Sequence, residues 1–147
     1  MAKINGIYCL SKKEIIRGYN SFKNILVDSK LITNSFLRLN IQVKEEIKEN
    51  KKFHIIKDPL NNVKVGFVVS KRFVKKASMR NRLKRLLREA YRINKNMLGV
   101  DERKNIFMLF GYSEKYSGNY GNLDFEVVNA NMRTLLIKVK DFLNKNK

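Results

Sequence analysis

The chain has 147 residues, 44% hydrophobic and 31% charged, which supports one packed domain and excludes wholesale disorder. Its 32 Lys and Arg outnumber 13 Asp and Glu, a net charge of +19 that repels itself in a compact state and persists where a polyanion neutralises it. No stretch approaches the roughly 18 apolar residues of a membrane span, MAKINGIYCL lacks a secretory h-region, and the lone Cys9 excludes an intramolecular disulfide, so a cytoplasmic protein with no membrane partner is expected.

Residues 1–17 read as a basic N-terminal arm, although Ser11 to Glu14 has the form of a capping box. A helix start is expected at Asn20 or Ser21, with Phe22, Ile25 and Leu26 on one face. From Asn34 to Val43 the sequence alternates, placing Leu37, Leu39, Ile41 and Val43 on one side of a half-buried strand. Lys44 to Lys52 reads as a solvated loop, Phe53 to Lys57 as a short strand and Asp58 to Asn62 as a turn. Val63 to Val69 is nearly continuously apolar, the pattern of a central strand. Ser78 can cap a helix running to about Lys95 or Met97, and Asn105 to Phe110 is a fourth strand. Gly111 to Gly121 reads as a loop, and Asp124 to Leu143 carries apolar residues at helical spacing. The order αβββαβα predicts a single α+β domain over 1–147, with a four-stranded, antiparallel-rich sheet covered by helices.

The helix over 78–96 carries the functional signal. Met79, Leu83, Leu86, Leu87, Ala90 and Ile93 share one side; Lys84, Arg85, Arg88, Arg92 and Lys95 share the other. Six of the ten arginines lie between Arg72 and Arg92, and across Lys71 to Arg92 ten cations face the single acid Glu89. Like-charge pairs four apart, such as Arg88/Arg92, and cations near a helix N-terminus, Arg80 and Arg82, each cost a few tenths of a kcal/mol or more. A sequence selected only to fold would not accumulate such costs, so the helix is read as binding nucleic acid. Arginine grips phosphates, reads guanine and stacks on unpaired bases, so these residues leave DNA and RNA both open.

The segment from Lys64 to Tyr91, KVGFVVSKRFVKKASMRNRLKRLLREAY, resembles the signature of the bacterial ribonuclease P protein component in its strand VGFVVSK, Ala77, Arg80-Asn81-Arg82, Lys84-Arg85 and Arg88-Glu89. The resemblance implies a protein that pairs with a large catalytic RNA and helps it cut the 5′ leader from precursor tRNA, with magnesium on the RNA, no cofactor held by protein side chains alone and no DNA partner. It also implies a left-handed βαβ crossover, against the usual rule. Arg80, Asn81, Arg82, Lys84, Arg85, Arg88 and Arg92 fall in the RNA-binding helix, and Lys71 and Arg72 match a basic pair after the preceding strand. For a cleft holding the leader, the resemblance points to Phe22 and Leu26 on the first helix, and to Phe36 or Asn40 as the counterpart of a sheet aromatic. This sequence departs from the pattern at Leu26, which stands where an aromatic is expected, and in longer segments over 44–62 and 111–121. Tyr112, Tyr116 and Tyr120 in the latter are of a type able to stack on RNA, and read rather as flexible surface aromatics.

Autonomous catalysis is not expected. His54, the only histidine, excludes a multi-histidine zinc site, and no phosphate-binding glycine motif is present. The alternative reading is a ribosomal or RNA-assembly protein that applies the same helix to ribosomal RNA. A membrane-surface helix is the weakest reading, because Leu83, Leu86 and Leu87 are needed for a core.

Overall fold

The computed structural model describes residues 10, 12–16, 19–45, 63–98, 104–113 and 123–145. The expected strand Phe53–Lys57, His54, the turn 58–62 and most of the segment 111–121 lie outside these residues. The elements, in chain order, are α1 (Tyr19–Val27), β1 (Lys30–Thr33), β2 (Leu37–Glu45), β3 (Val63–Phe67), α2 (Ala77–Asn94), β4 (Lys104–Tyr112) and α3 (Phe125–Lys145). Short 3-10 turns cover Lys12–Glu14 and Lys95–Leu98.

The order αβββαβα is as expected, and so is the four-stranded sheet, but one of its strands is unforeseen. β1 pairs antiparallel with β2 in a hairpin whose turn is built by Asn34. Asn34 Oδ1 accepts hydrogen bonds from the Phe36 and Leu37 amides at 2.9 and 2.7 Å, and the Asn34 amide donates to the Leu37 carbonyl at 3.0 Å. The side chain thereby imitates a backbone turn. It also starts β2 at Leu37 rather than at Asn34.

Within β2 the alternation holds: Leu37, Leu39 and Ile41 are buried, while Arg38 and Asn40 are half-buried on the opposite face. The sheet order is β1-β2-β4-β3, with β3 and β4 parallel and the other pairs antiparallel. β3 is therefore an edge strand and not the central strand its apolar run suggests. Its other residues are buried while Lys64 is exposed, because both faces are packed and the free edge is covered at Val65. Ile15 bridges to Val65 in parallel at that edge, and the Ile16 amide donates to the Val65 carbonyl at 2.7 Å. An edge covered in this way no longer templates pairing with another chain.

Residues 12–16 are thus not a solvated arm. Glu14 and Ile16 are buried, and Lys95 Nζ lies 3.1 Å from Glu14 Oε1 with both side chains about nine-tenths buried. This pair joins the N-terminal turn to the end of α2. Lys95, expected on the basic face, is consumed by it, and Ile93, expected in the core, is 39% exposed. Tyr91 takes that core place, ringed by Phe67 and Phe110 at centroid distances of 6.1 and 5.4 Å.

The main core lies between one face of the sheet and the pair α2/α3, with Leu83, Leu87, Met108, Phe110, Met132, Leu135 and Leu136 fully enclosed. Asn94 Nδ2 donates to Asn129 Oδ1 at 2.6 Å, linking the two helices polar-to-polar inside that layer. α3 is capped by Asp124, whose Oδ1 accepts from the Val127 amide at 3.0 Å. The opposite sheet face holds a smaller cluster of Ile16, Ile25 and Leu109, against which Phe22 and Phe107 pack. α1 is the cover of this second face.

Candidate nucleic-acid interface

The basic helix begins one residue earlier than Ser78, at Ala77, with Lys76 as its cap in extended backbone and no side chain bonded to the first turn. Ser78 does not cap it. The first turn has no acidic residue, so its orphan amides are not balanced by charge. Arg80 instead turns back on the incoming loop. Its Nη1 donates to the carbonyls of Val74 and Lys75 at 2.9 and 2.7 Å. Arg82 Nη2 donates to the Leu123 carbonyl at 2.6 Å, fixing the second turn of α2 to the segment entering α3. The two arginines that were hardest to explain by folding alone therefore hold loops in place, a role that linear spacing did not reveal.

The remaining cations form the outward face. Arg85 and Arg88 are exposed and Lys84 is half-buried, and their side chains, like that of exposed Asn81, make no hydrogen bond or ion pair among the described residues. Arg92 is engaged locally, 2.8 Å from Glu89 Oε2. Leu83, Leu87, Ala90 and Tyr91 anchor the other side of the helix in the core. The result is a rigid rod that presents planar guanidinium groups to solvent, suited to paired contact with phosphates. Lys71 and Arg72 are exposed in the loop before the helix, where Ser70 Oγ accepts from the Arg72 amide at 3.1 Å.

A groove of about 280 Å³ opens on the α1 side of the sheet. Leu26 from α1, Arg38 and Asn40 from β2, Leu109 and Gly111 from β4, and Val68, Val69, Ser70, Phe73 and Val74 after β3 contribute to its walls. Of the four cleft candidates, Leu26 and Asn40 line it. Phe22 does not; its ring packs on Gly66, where an added Cβ would fall 2.6 Å from Phe22 Cε1 and 2.7 Å from Leu109 Cδ2. Gly66 is thus what lets α1 sit close on the sheet.

Phe36 is corrected outright. It is buried in the main core on the other side, 6.1 Å edge-on from Tyr112. The reason is the Asn34 turn, which ends before β2 begins and leaves Phe36 outside the strand's alternation. Tyr112 in turn belongs to β4 and not to a loop, and its hydroxyl donates to the Leu83 carbonyl at 3.0 Å. Arg38, Val68 and Phe73 are lining residues that the sequence reading missed. The available signal was Phe73 itself, an aromatic next to Arg72 in a segment with no apolar period.

Burial also acts on one titratable group near the core. The Tyr91 hydroxyl is held well above the usual phenol range, first by burial and then by the Glu14 carboxylate. Among the described residues no three His, Cys, Asp or Glu side chains gather as a metal site, and no helix is long and apolar enough to cross a membrane.

A family model described as Ribonuclease P matches residues 10–140. The chain is similar to the ribonuclease P protein component of Chlorobaculum tepidum, 34% identical over 89 residues that make up 60% of this chain and 53% of that one. It is likewise similar to the component from Nitrosomonas eutropha, 31% identical over 98 residues, 65% of this chain and 69% of the other. The aligned part thus spans about half the length of the first relative. Among solved structures, the RNase P protein from Thermotoga maritima superposes with a TM-score of 0.61 at 24% identity, covering 85% of this chain and 96% of that one. The RNase P protein of Staphylococcus aureus gives 0.57 at 16% identity, with 86% and 95% covered. At these identities the two structures establish a common fold.

Proposed function

The chain belongs to the ribonuclease P protein family, and from that membership we propose that it is the protein subunit of a ribonucleoprotein that removes the 5′ leader from precursor tRNA. In this reading α2 binds the catalytic RNA and the groove beside α1 holds the leader. The observation that carries it is the outward face of α2, where Arg85, Arg88 and Lys84 are held on a core-anchored helix with no internal partner among the described residues. Folding does not need them there, and a polyphosphate does.

The protein's own contribution is binding and positioning. Arg80 and Arg82 hold the loops on either side of the helix N-terminal half, so that Asn81, Lys84, Arg85 and Arg88 meet RNA from a fixed frame. Asn40 and Leu26 contact the leader, and Lys71 and Arg72 meet phosphates near the groove. The catalytic RNA would hold magnesium, a hard cation that seeks oxygen ligands and would supply the Lewis acid for phosphodiester cleavage. No protein side chain takes a proton or attacks. The protein acts in the cytoplasm, with catalytic RNA and precursor tRNA as its partners.

The test adds purified protein to catalytic RNA and precursor tRNA at low magnesium. Faster cleavage than with RNA alone is expected. Unchanged cleavage together with tight binding to ribosomal RNA would favour the ribosomal-assembly alternative.

A further inference from the structure

Three large apolar side chains lining one groove are left exposed: Leu26 at 52%, Val68 at 41% and Phe73 at 48%. Single exposed apolar residues need no explanation, but three on a shared concave surface do. Phe73 is held there by a fixed backbone. The Ser70 carbonyl accepts from the Phe73 and Val74 amides at 3.3 and 3.1 Å, and Val74 is buried as an anchor. The Arg72 guanidinium carbon lies 6.0 Å from the Phe73 ring centroid, a cation over one face of the ring. At Gly111 in the groove, an added Cβ would fall 3.1 Å from the Val68 carbonyl oxygen and 3.5 Å from Arg38 Cγ, so the chain approaches closely without a side chain in the way. Asn40 is oriented by donation from Nδ2 to Ser29 Oγ at 3.2 Å.

We infer that Phe73 is a stacking platform for an unpaired nucleobase of the RNA strand in this groove, with Leu26 and Val68 as the apolar contacts beside it. The inference rests on the proposal that the groove holds the leader, and it names the side chain that grips a base there. The composition of the walls selects this occupant. An aromatic ring backed by a guanidinium offers a π-face to any base, while exposed Lys71 and Arg72 in the adjoining loop suit the flanking phosphates. An apolar protein segment seated there would supply no counter-charge for Lys71 and Arg72. Leu26 has no ring, so stacking on the α1 wall is not available and the task falls to the facing loop.

The chain contains no tryptophan, so Phe73→Trp introduces a unique fluorophore. The full-length variant is titrated with an unstructured RNA oligonucleotide and with the same strand carrying abasic residues, which keeps every phosphate. Quenching is expected with the intact strand and not with the abasic one. Phe73→Ala should weaken binding of the intact strand roughly 5- to 150-fold and leave the abasic strand nearly unaffected. Absence of quenching, or equal weakening for both strands, overturns the stacking role. Leu26→Glu, which sets a like charge against the phosphates, separates this from the reading beneath it. If Leu26→Glu weakens binding and Phe73→Ala does not, RNA still occupies the groove and only the platform is lost; if neither matters, both ideas fall. Both side chains are about half exposed, so circular dichroism should report folded variants.

Discussion

Arg82 Nη2 on α2 lies 2.6 Å from the Leu123 carbonyl oxygen, tying the basic helix to the segment that enters α3. The same motif that reads as an RNA contact is therefore also a tertiary brace. The two roles make different demands, and substitutions can separate them.

Arg82→Ala should lower unfolding stability by about 1 kcal/mol, the usual worth of one hydrogen bond, and also weaken RNA binding. Arg85→Ala should leave stability within about 0.5 kcal/mol of the parent and flatten the dependence of RNA affinity on salt by about one unit of slope. Denaturant unfolding and a salt titration read the two effects. A parent-like salt slope for Arg85→Ala would show that its guanidinium does not meet phosphate.

Gly66→Ala places a methyl where the Phe22 ring and Leu109 already sit. Overpacking at such a site costs about 1–3 kcal/mol, and α1 should be pushed off the sheet. Adding Phe22→Leu ought to recover part of the loss by vacating that space. If the double variant is no more stable than Gly66→Ala, Phe22 is not what fills the gap.

Phe22→Ala by itself should cost less than the about 3–5 kcal/mol of a fully enclosed Phe, because the Phe22 ring is only partly buried. Because Phe22 supports α1 without lining the groove, its loss should reduce leader binding in step with stability. Leader affinity measured across a denaturant series distinguishes this from a direct base contact, which would vanish with stability unchanged.

Glu14 and Lys95 form an ion pair about nine-tenths buried on both sides. Removing one partner strands a buried charge, a loss of up to about 3–5 kcal/mol. Glu14→Gln and Lys95→Met should each destabilise the fold, and the double variant should be more stable than either. Strict additivity in thermal unfolding would mean the two charges do not interact.

The Tyr91 hydroxyl is raised by burial and by Glu14. A raised folded-state value means that the native state keeps its proton where the unfolded state releases one. The stability this represents is fully present below about pH 10, the ordinary phenol range, and is lost as pH rises from there toward the folded value. Tyr91→Phe should lack that alkaline loss, and the difference between the two unfolding curves above pH 10 isolates it from the other tyrosines and lysines.

Much of this molecule was legible from periodicity. The alternation of Leu37, Leu39 and Ile41, the stripe of Leu83, Leu87 and Ala90, and the apolar spacing of α3 each read out correctly, since a buried face imposes its repeat on the sequence. β1 was not legible: Lys30 to Thr33 is short and mostly exposed, and it becomes a strand only because Asn34 folds it back on β2. The edge position of β3 was hidden for the opposite reason, because the N-terminal turn at Ile15 and the helices on either face bury every residue of it except Lys64.

The sequence alone determined the class of the protein and its charge logic. A cluster of arginines on one helix face is a local property, readable without any fold, because each residue's side is set by the 100° step of the helix. Tertiary structure decided which of those arginines are spent inside the molecule. Arg80 and Arg82 find carbonyls of Val74, Lys75 and Leu123, Lys95 finds Glu14, and Arg85 and Arg88 find no partner among the described residues. It also moved Phe36 into the core and brought Phe73 to the groove. Hydrogen bonds between distant segments depend on where loops return, and that is fixed by packing across the whole sheet, not by any window of the chain.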